Sequence, residues 1–406
     1  MAIVLLAAAC SLPGSTDSAA PDATTSTTTG EVAEVVEMGE FAIVGRTIVD
    51  PFDNVFVPHG ANVGAIVVDR AGQPVWLFSL GGNDITDPTT VAAVQAWNWN
   101  TLRVNARCTE IAANEFNAAW GNEEMLDAID RVVDAYTPLG IVVVISCHDL
   151  TGQSPEIGSP AYREVEQFWT SAADRYGDNT YVWFNHLNEF HAPAEASTDD
   201  DNDVYWQSVV DDAYANLAAT GAPNLLVFDL PNYGNDLGLF RSPEFRDWAA
   251  TKCNTIWSWH AYGGLAPESV VGYDFAQPDE VAFRDEVANL IAQVSDADLP
   301  LMAGEFGYDW NAERQSTNFV WASERLGALT ALDVLPPAGY GLLAWHANGD
   351  SAQAMTYGLK AADELTFAQP EPGLQLSELG ERFWNLSQIQ PVAGPASTPG
   401  VDTCQR

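Results

Sequence analysis

Positive charge is what this 406-residue chain has least of: 16 Lys and Arg stand against 56 Asp and Glu, a formal net charge of −40. Lys252 and Lys360 are the only lysines. A phosphate backbone needs a basic face, so nucleic acid is excluded as a partner, and an anionic membrane surface is repelled. After the first residues, no apolar run approaches the roughly 18 that a membrane span needs. Metal-ligand spacing is missing too, since His186 and His191 stand five apart with no further partner pattern. Hydrophobic residues are not scarce. At 47% of the chain, with 11% aromatic, they suffice for a large core, which places the acids on the surface of a folded protein and not in a disordered one. Such a surface repels itself in dilute buffer and is screened in salt, so the composition predicts a protein made for a saline medium.

Cysteine is sparse, at five residues. Cys10 follows the run Ala2-Ile-Val-Leu-Leu-Ala-Ala-Ala9, a signal-like stretch ending in small residues. This resembles the lipobox of bacterial lipoproteins and predicts export, with Cys10 as a lipidation site. Residues 11–35, rich in Ser, Thr, Pro and acids, read as a flexible tether. A secreted protein or a cell-surface lipoprotein of a bacterium is expected, touching membrane only through that lipid. Cys108, Cys147, Cys253 and Cys404 remain, enough for two disulfides in any of three pairings.

From about residue 40 to 390, short apolar runs alternate with longer helical patterns. Runs at 101–105, 141–146, 181–185, 225–229, 255–259, 301–303 and 340–345 are continuous and apolar, as in parallel strands buried on both faces. Between them, segments such as Asn122 to Tyr136 place Met125, Ile129, Val132, Val133 and Tyr136 on one helical stripe. With a further strand near Asn62 and Val63, eight β/α units predict an α/β fold of the (β/α)8 TIM-barrel class, one domain over 36–395 with a tail at 396–406. All six His, at 59, 148, 186, 191, 260 and 346, lie at or beside strand ends. They are expected to share one polar pocket on one barrel face. Trp97, Trp99, Trp120 and Trp310 lie near loops and are either cleft lining or, the better reading for any one, core.

Two glutamates carry the most specific signal. Glu189 closes Tyr181-Val-Trp-Phe-Asn-His-Leu-Asn-Glu, and Glu305 lies in Leu301-Met-Ala-Gly-Glu-Phe-Gly. Each ends an apolar strand, where a carboxylate has no packing reason to be. On strands four and seven they face each other across a barrel mouth, and paired carboxylates are the equipment of glycoside hydrolysis.

The ordered set of motifs resembles clan A retaining glycoside hydrolases of family 5. Val57-Pro-His-Gly-Ala-Asn-Val-Gly64, with His59, fits the first-strand segment, and Asn100-Thr-Leu-Arg103 the second. His148 follows the third strand, Asn188-Glu189 matches the fourth-strand signature, and His260-Ala-Tyr262 the sixth. Glu305 matches the seventh-strand nucleophile and Trp345 the eighth-strand sugar platform. Cys147-His-Asp-Leu-Thr-Gly152 and Phe228-Asp-Leu-Pro-Asn-Tyr-Gly-Asn-Asp236, with Asn232 and Tyr233, look most like loops of bacterial β-mannanases. Phe190, Tyr233 and Ala347 replace a Pro and two Trp, which keeps β-1,4-glucan open beside β-mannan. A non-catalytic carbohydrate-binding barrel is the alternative from another class.

The resemblance implies a polysaccharide substrate, no cofactor, no catalytic metal and a monomer. Glu305 is then the nucleophile and Glu189 the acid and base, its proton retained by proximity to ionised Glu305. Arg103 and Tyr262 serve Glu305, Asn188 a sugar hydroxyl, and His148 and His260 either sugar hydroxyls or the glutamates. A barrel also puts Cys108 and Cys147 after adjacent strands, which favours that pairing and leaves Cys253 for Cys404.

Overall fold

The computed structural model describes residues 39–70, 73–80, 83–109, 122–191, 199–262, 280–308, 319–345 and 378–389. All belong to a unit that begins at Met38. The signal-like segment, the linker, the C-terminal tail, Cys10, Cys404, Trp120, Trp310, His346, Ala347 and Lys360 lie outside the described residues.

Strands β1 (Ala42–Val44), β2 (Thr47–Val49) and β3 (Val55–Phe56) form a small antiparallel sheet. Then come β4 (His59–Arg70), β5 (Gln73–Leu80), β6 (Asn83–Asp84), α1 (Pro88–Ala96) and β7 (Thr101–Ala106). The alternation continues through α2 (Asn122–Tyr136), β8 (Val142–Cys147), α3 (Pro160–Tyr176), β9 (Val182–Asn185) and α4 (Asp199–Thr220). It ends with β10 (Leu226–Asp229), α5 (Pro243–Ala249), β11 (Thr255–His260), α6 (Glu280–Asp296), β12 (Leu301–Phe306), α7 (Phe319–Val334), β13 (Gly341–Ala344) and α8 (Glu378–Ile389). Strands β4 and β7 to β13 pair in parallel in chain order, and Leu342 of β13 registers with His59 of β4. The result is a closed (β/α)8 barrel, as expected.

Two local devices start the helices. Asp87, Ser159 and Ser242 each precede a proline, whose fixed φ suits the first helical turn, and each side chain accepts a backbone N–H, from Thr89, Tyr162 and Phe245 respectively. The stripe read on α2 is buried, and Tyr136 at its end donates to the Ile85 carbonyl at 2.7 Å.

Alternation along each strand separates two hydrophobic cores. Ala61, Leu102, Val143, Phe184, Leu226, Trp257, Ala303 and Leu342 point outward and pack with the helices. Val142, Val144, Trp183, Leu225, Val227, Ile256, Met302 and Leu343 point inward near the strand starts, where Phe41 and Ile48 of the N-terminal sheet join them. The Phe41 ring meets Trp183 edge-on at 5.3 Å, so this sheet plugs the barrel floor. Trp97 and Trp99 are core residues, tilted against each other at 43° and packed against Trp384 and Phe383 of α8.

The first strand departs from expectation. Only Gly60 to Val63 pair with β7; from Gly64 the strand leaves the barrel and pairs antiparallel with β5, an added hairpin before α1.

Candidate active site

Above the apolar floor, the same inward positions turn polar. Thr-Leu-Arg-Val-Asn on β7 places Arg103 inward, with Asn62 of β4, Asn185 of β9, Asp229 of β10 and Ser258 of β11, all fully or almost fully buried. A buried guanidinium needs an acceptor for each of its five N–H groups. Nε donates to Asn185 Oδ1 at 2.8 Å, Nη1 to Asn62 Oδ1 and Glu305 Oε1 at 2.7 Å each, and Nη2 to Asn188 Oδ1 at 2.7 Å and Asp229 Oδ2 at 3.2 Å.

Strict alternation would turn Glu305 outward, because Met302 points in and Ala303 out. A β-bulge prevents it: Trp259 registers with Ala303 but His260 with Glu305, so Gly304 is extra on β12 against β11, and the β13 pairing also carries one extra β12 residue between Ala303 and Phe306. A Cβ there would lie 2.1 Å from Ser258 Oγ, which leaves glycine as the residue that fits. Re-aimed inward, Glu305 accepts from Arg103 through Oε1 and from the Tyr262 hydroxyl through Oε2 at 2.9 Å. Burial first, then Glu305, pushes Tyr262 well above its ordinary value, so the phenol keeps its proton and donates.

Glu189 follows β9 in a left-handed conformation, φ 46°, uncommon for a non-glycine residue. The neighbours hold it there: its N–H reaches Asp229 Oδ2 at 3.3 Å, its carbonyl accepts from Gly152 N at 2.9 Å, and Asn188 N donates to the Cys147 carbonyl at 2.7 Å. Such strain concentrates at functional positions. Glu189 Oε1 meets His260 Nδ1 at 2.7 Å. One oxygen from each glutamate and one ring nitrogen of His260 all lie within 4.8 Å of one another.

The charges are strongly coupled. Burial disfavours a charged His260, but Glu305 and Asp229 outweigh it and push its pKa up to about 10. Burial also works against ionised Asp229, yet His260 and Arg103 hold it well below the usual carboxylate range. Glu305 is pushed up, by burial most and by Glu189, against the pull of His260 and Arg103. Because both its oxygens accept hydrogen bonds, Glu305 is placed to be the ionised member when the two glutamates share a proton.

The remaining predicted residues divide. His148 lies flat against Trp345, ring centroids 6.0 Å apart at 15°, and burial, then Arg103, holds it well below its ordinary value, hence neutral. Asn232, Tyr233 and Gly234 form a run of left-handed residues, φ 55°, 58° and 73°. That turn leaves the Tyr233 ring 42% exposed, beside Gly152 and edge-on to His191 at 4.9 Å. His59 does not join the site: it starts β4, facing the Val57 and Asn98 carbonyls at 3.1 and 2.5 Å. His186 points out of the barrel because Asn185 before it points in; it meets Glu166 at 2.7 Å beneath Tyr162 and Trp169. Of the six His expected in a single pocket, the described residues therefore place His148 and His260 there, with His191 beside it, while His346 lies outside the described residues. Asp229, Asn62, Asn185 and Thr151, which accepts from Asn188 at 2.9 Å, were not foreseen.

Cys108 and Cys147 form the expected disulfide, Cα atoms 5.7 Å apart. Cys253 is also disulfide-bonded; its expected partner Cys404 lies outside the described residues. Among the described residues, Glu189, His260 and Glu305 lie close enough to share a cation, but Arg103 and charged His260 already supply positive charge there. Two carboxyl groups, a buried cation and a stacked aromatic rim constitute equipment for acid–base and nucleophilic chemistry on an uncharged polyol.

Known proteins agree in fold. The chain is 26% identical over 227 residues to a mannan endo-1,4-β-mannosidase of Streptomyces lividans, covering 54% of this chain and 49% of that protein. It is 27% identical over 105 residues to a probable endo-β-1,4-glucanase B of Neosartorya fischeri, 26% of this chain and 31% of that one. The chain thus spans half or less of either relative's length. The structure of a β-mannanase from Thermomonospora fusca superposes with a TM-score of 0.57 at 19% identity, covering 88% of this chain and 98% of that one. A model of the cellulase family, glycosyl hydrolase family 5, matches residues 68–351, more than half of the chain. By that match, reached independently of the site geometry, the chain belongs to glycosyl hydrolase family 5, a family of retaining glycosidases.

Proposed function

We propose that this protein is an endo-acting retaining glycoside hydrolase whose substrate is β-1,4-mannan. The observation that carries it is the pairing of Glu305, both oxygens held by Arg103 and Tyr262, with a Glu189 oxygen less than 4.8 Å away. Retaining pairs stand about 5–5.5 Å apart, and inverting pairs about 6.5–9.5 Å to admit a water. Glu305 attacks the anomeric carbon while Glu189 gives its proton to the departing glycosidic oxygen. Glu189 then takes a proton from the water that opens the glycosyl ester. Asn188 has one amide hydrogen engaged by Thr151 and a second for the sugar 2-hydroxyl. Trp345, backed by His148, offers an apolar face to the ring, and Tyr233 extends the surface beside Glu189.

Mannan is favoured by the Cys147 to Gly152 and Phe228 to Asp236 loops and by the names of two relatives above. The second reading, β-1,4-glucan, rests on the replaced sugar-facing residues and on the glucanase relative. A reducing-sugar assay on galactomannan, glucomannan and carboxymethylcellulose decides: release from galactomannan supports the first, and release from carboxymethylcellulose alone replaces it with the second. Glu305→Gln should abolish the activity; wild-type activity in that variant removes Glu305 from the mechanism. If neither protein cleaves any β-glycan, a binding barrel replaces the enzyme.

Export fits an oxidised Cys108–Cys147 pair, and the protein is read as a monomer, secreted or held by lipid on Cys10. The −40 charge is read as adaptation to salt. A melting temperature that does not rise with NaCl contradicts the salt reading, and mass spectrometry of Cys10 from the native cell decides the lipid.

A further inference from the structure

The reaction as described leaves one interior acid without a task. Asp229, the last residue of β10, is buried. Its Oδ1 accepts from Asn185 Nδ2 at 3.2 Å; its Oδ2 lies 3.2 Å from Arg103 Nη2, 3.3 Å from His260 Nε2 and 3.3 Å from Glu189 N. The other edge of the same imidazole meets Glu189 Oε1 at 2.7 Å. One ring therefore stands between two carboxylates, hydrogen-bonded to Glu189 through Nδ1 and at ion-pair distance from Asp229 through Nε2, which has no hydrogen-bond partner of its own among the described residues.

The ring has little freedom to leave that position. His260 N donates to the Gly234 carbonyl at 2.8 Å, and a Cβ on Gly234 would lie 2.4 Å from His260 Cγ. On its far side a Cβ on Gly304 would lie 3.3 Å from Nε2. The left-handed turn after β10 thus presses the imidazole toward Asp229 and Glu189.

We propose that Asp229 is a positioning residue of the active site, orienting His260 against Glu189 through a carboxylate–imidazole–carboxylate chain and so deciding which carboxyls of the cluster carry the exchangeable proton. The proposal rests on the glycosidase reading above. The groups facing His260 are Glu189 after β9, Asp229 on β10, Glu305 on β12, Arg103 on β7, His148 after β8, and Tyr262 two residues on. Three carboxyls meet two cations, Arg103 and His260. A buried set of this kind is neutral with one proton on the carboxyls. Asp229, clamped by both cations, stays ionised, and the proton falls to the Glu189–Glu305 pair. That is the protonation a double displacement starts from.

Asp229→Asn removes one negative charge at nearly constant shape. Less negative charge makes His260 easier to deprotonate and makes the glutamate pair give up its proton at lower pH, so the alkaline limb of the kcat/KM profile should move to lower pH. An opposite charge at this range shifts a titration by roughly 1–3 units, so the His260 imidazole midpoint, read by NMR on the full chain, should fall by about one unit or more. An unchanged midpoint overturns the proposal, and this readout needs no substrate. Should Asp229→Asn fail to fold, Asp229→Ser carries the same reading, and Asp229→Glu, which restores the charge, should return the midpoint toward wild type.

Kinetics separate positioning from simple structural support. Loss of kcat should be about tenfold or more on polysaccharide, within the range of general acid catalysis, and small on a 2,4-dinitrophenyl glycoside, whose leaving group needs no proton. Equal losses on both overturn the proposal. Asp229→Asn added to His260→Asn should cost no further rate; an additive loss shows that Asp229 does not act through His260. A wild-type chain inactive on every glycan would end the glycosidase reading, while the His260 titration would still judge the hold of Asp229 on the ring.

Discussion

Replacing Arg103 by lysine keeps the charge and discards the fork. Arg103 satisfies Asn62, Asn185, Asn188, Asp229 and Glu305 with five N–H groups; an ammonium has three, on one atom. At least two of those oxygens lose their donor in a space closed to bulk water. A buried acceptor left unpaired costs about 1–3 kcal/mol, so the variant should be destabilised by about 2–6 kcal/mol. Whole domains are stable by about 5–15 kcal/mol, which leaves Arg103→Lys folded but weakened. At roughly 2–4 °C per kcal/mol, the melting temperature should fall by on the order of 10 °C. Far-UV circular dichroism during heating measures it, and a mannan assay at 25 °C should show a lower kcat, because Glu305 loses the donor that favours its ionised form. A variant that melts within about 2 °C of the wild type would refute the reasoning, since it would mean that the five contacts are not individually required.

Gly234→Ala should lower activity by more than tenfold and stability by about 1–3 kcal/mol, because φ of 73° and a Cβ 2.4 Å from the His260 ring both oppose it; wild-type kinetics would contradict the packing described. Opening Cys108–Cys147, by Cys108→Ser with Cys147→Ser, should cost about 4 kcal/mol for a loop of 39 residues. It should also slow catalysis, as the Cys147 carbonyl holds Asn188; a melting temperature equal to wild type would count against it. His260, whose folded pKa of about 10 exceeds its unfolded 6.5, contributes stability that is complete below pH 6.5 and is lost as pH rises through about 10. Urea midpoints should therefore decline over that window in the wild type and stay flatter in His260→Asn; parallel curves would refute the assignment.

Much of this site was legible because a carboxylate at the end of an apolar run is hard to explain by packing, and Glu189 and Glu305 both stood out that way. Asp229 bears the same mark, closing Leu225-Leu-Val-Phe-Asp, yet the segment drew notice for Asn232 and Tyr233 further on. The histidines show where position along a strand misleads. His186 sits at a strand end like His260, but one residue of offset turns it to the opposite face, and His59 lies at a strand's beginning. The plug of β1 to β3 left no trace in the barrel pattern, because two- and three-residue strands carry too few positions to establish alternation, while the β4–β5 hairpin pairs antiparallel outside the barrel and so falls outside the repeating β/α units. Nor could alternation alone orient Glu305, whose inward aim depends on the extra residue at Gly304.

That extra residue makes the nucleophile sensitive to length as well as to identity. Deleting Gly304 would leave the acid directly after Ala303, the position that ordinary alternation already turns inward, whereas one further residue taken into the regular ladder before Glu305 would turn it toward the helices. A change of length here is therefore read by its parity and not by its size alone.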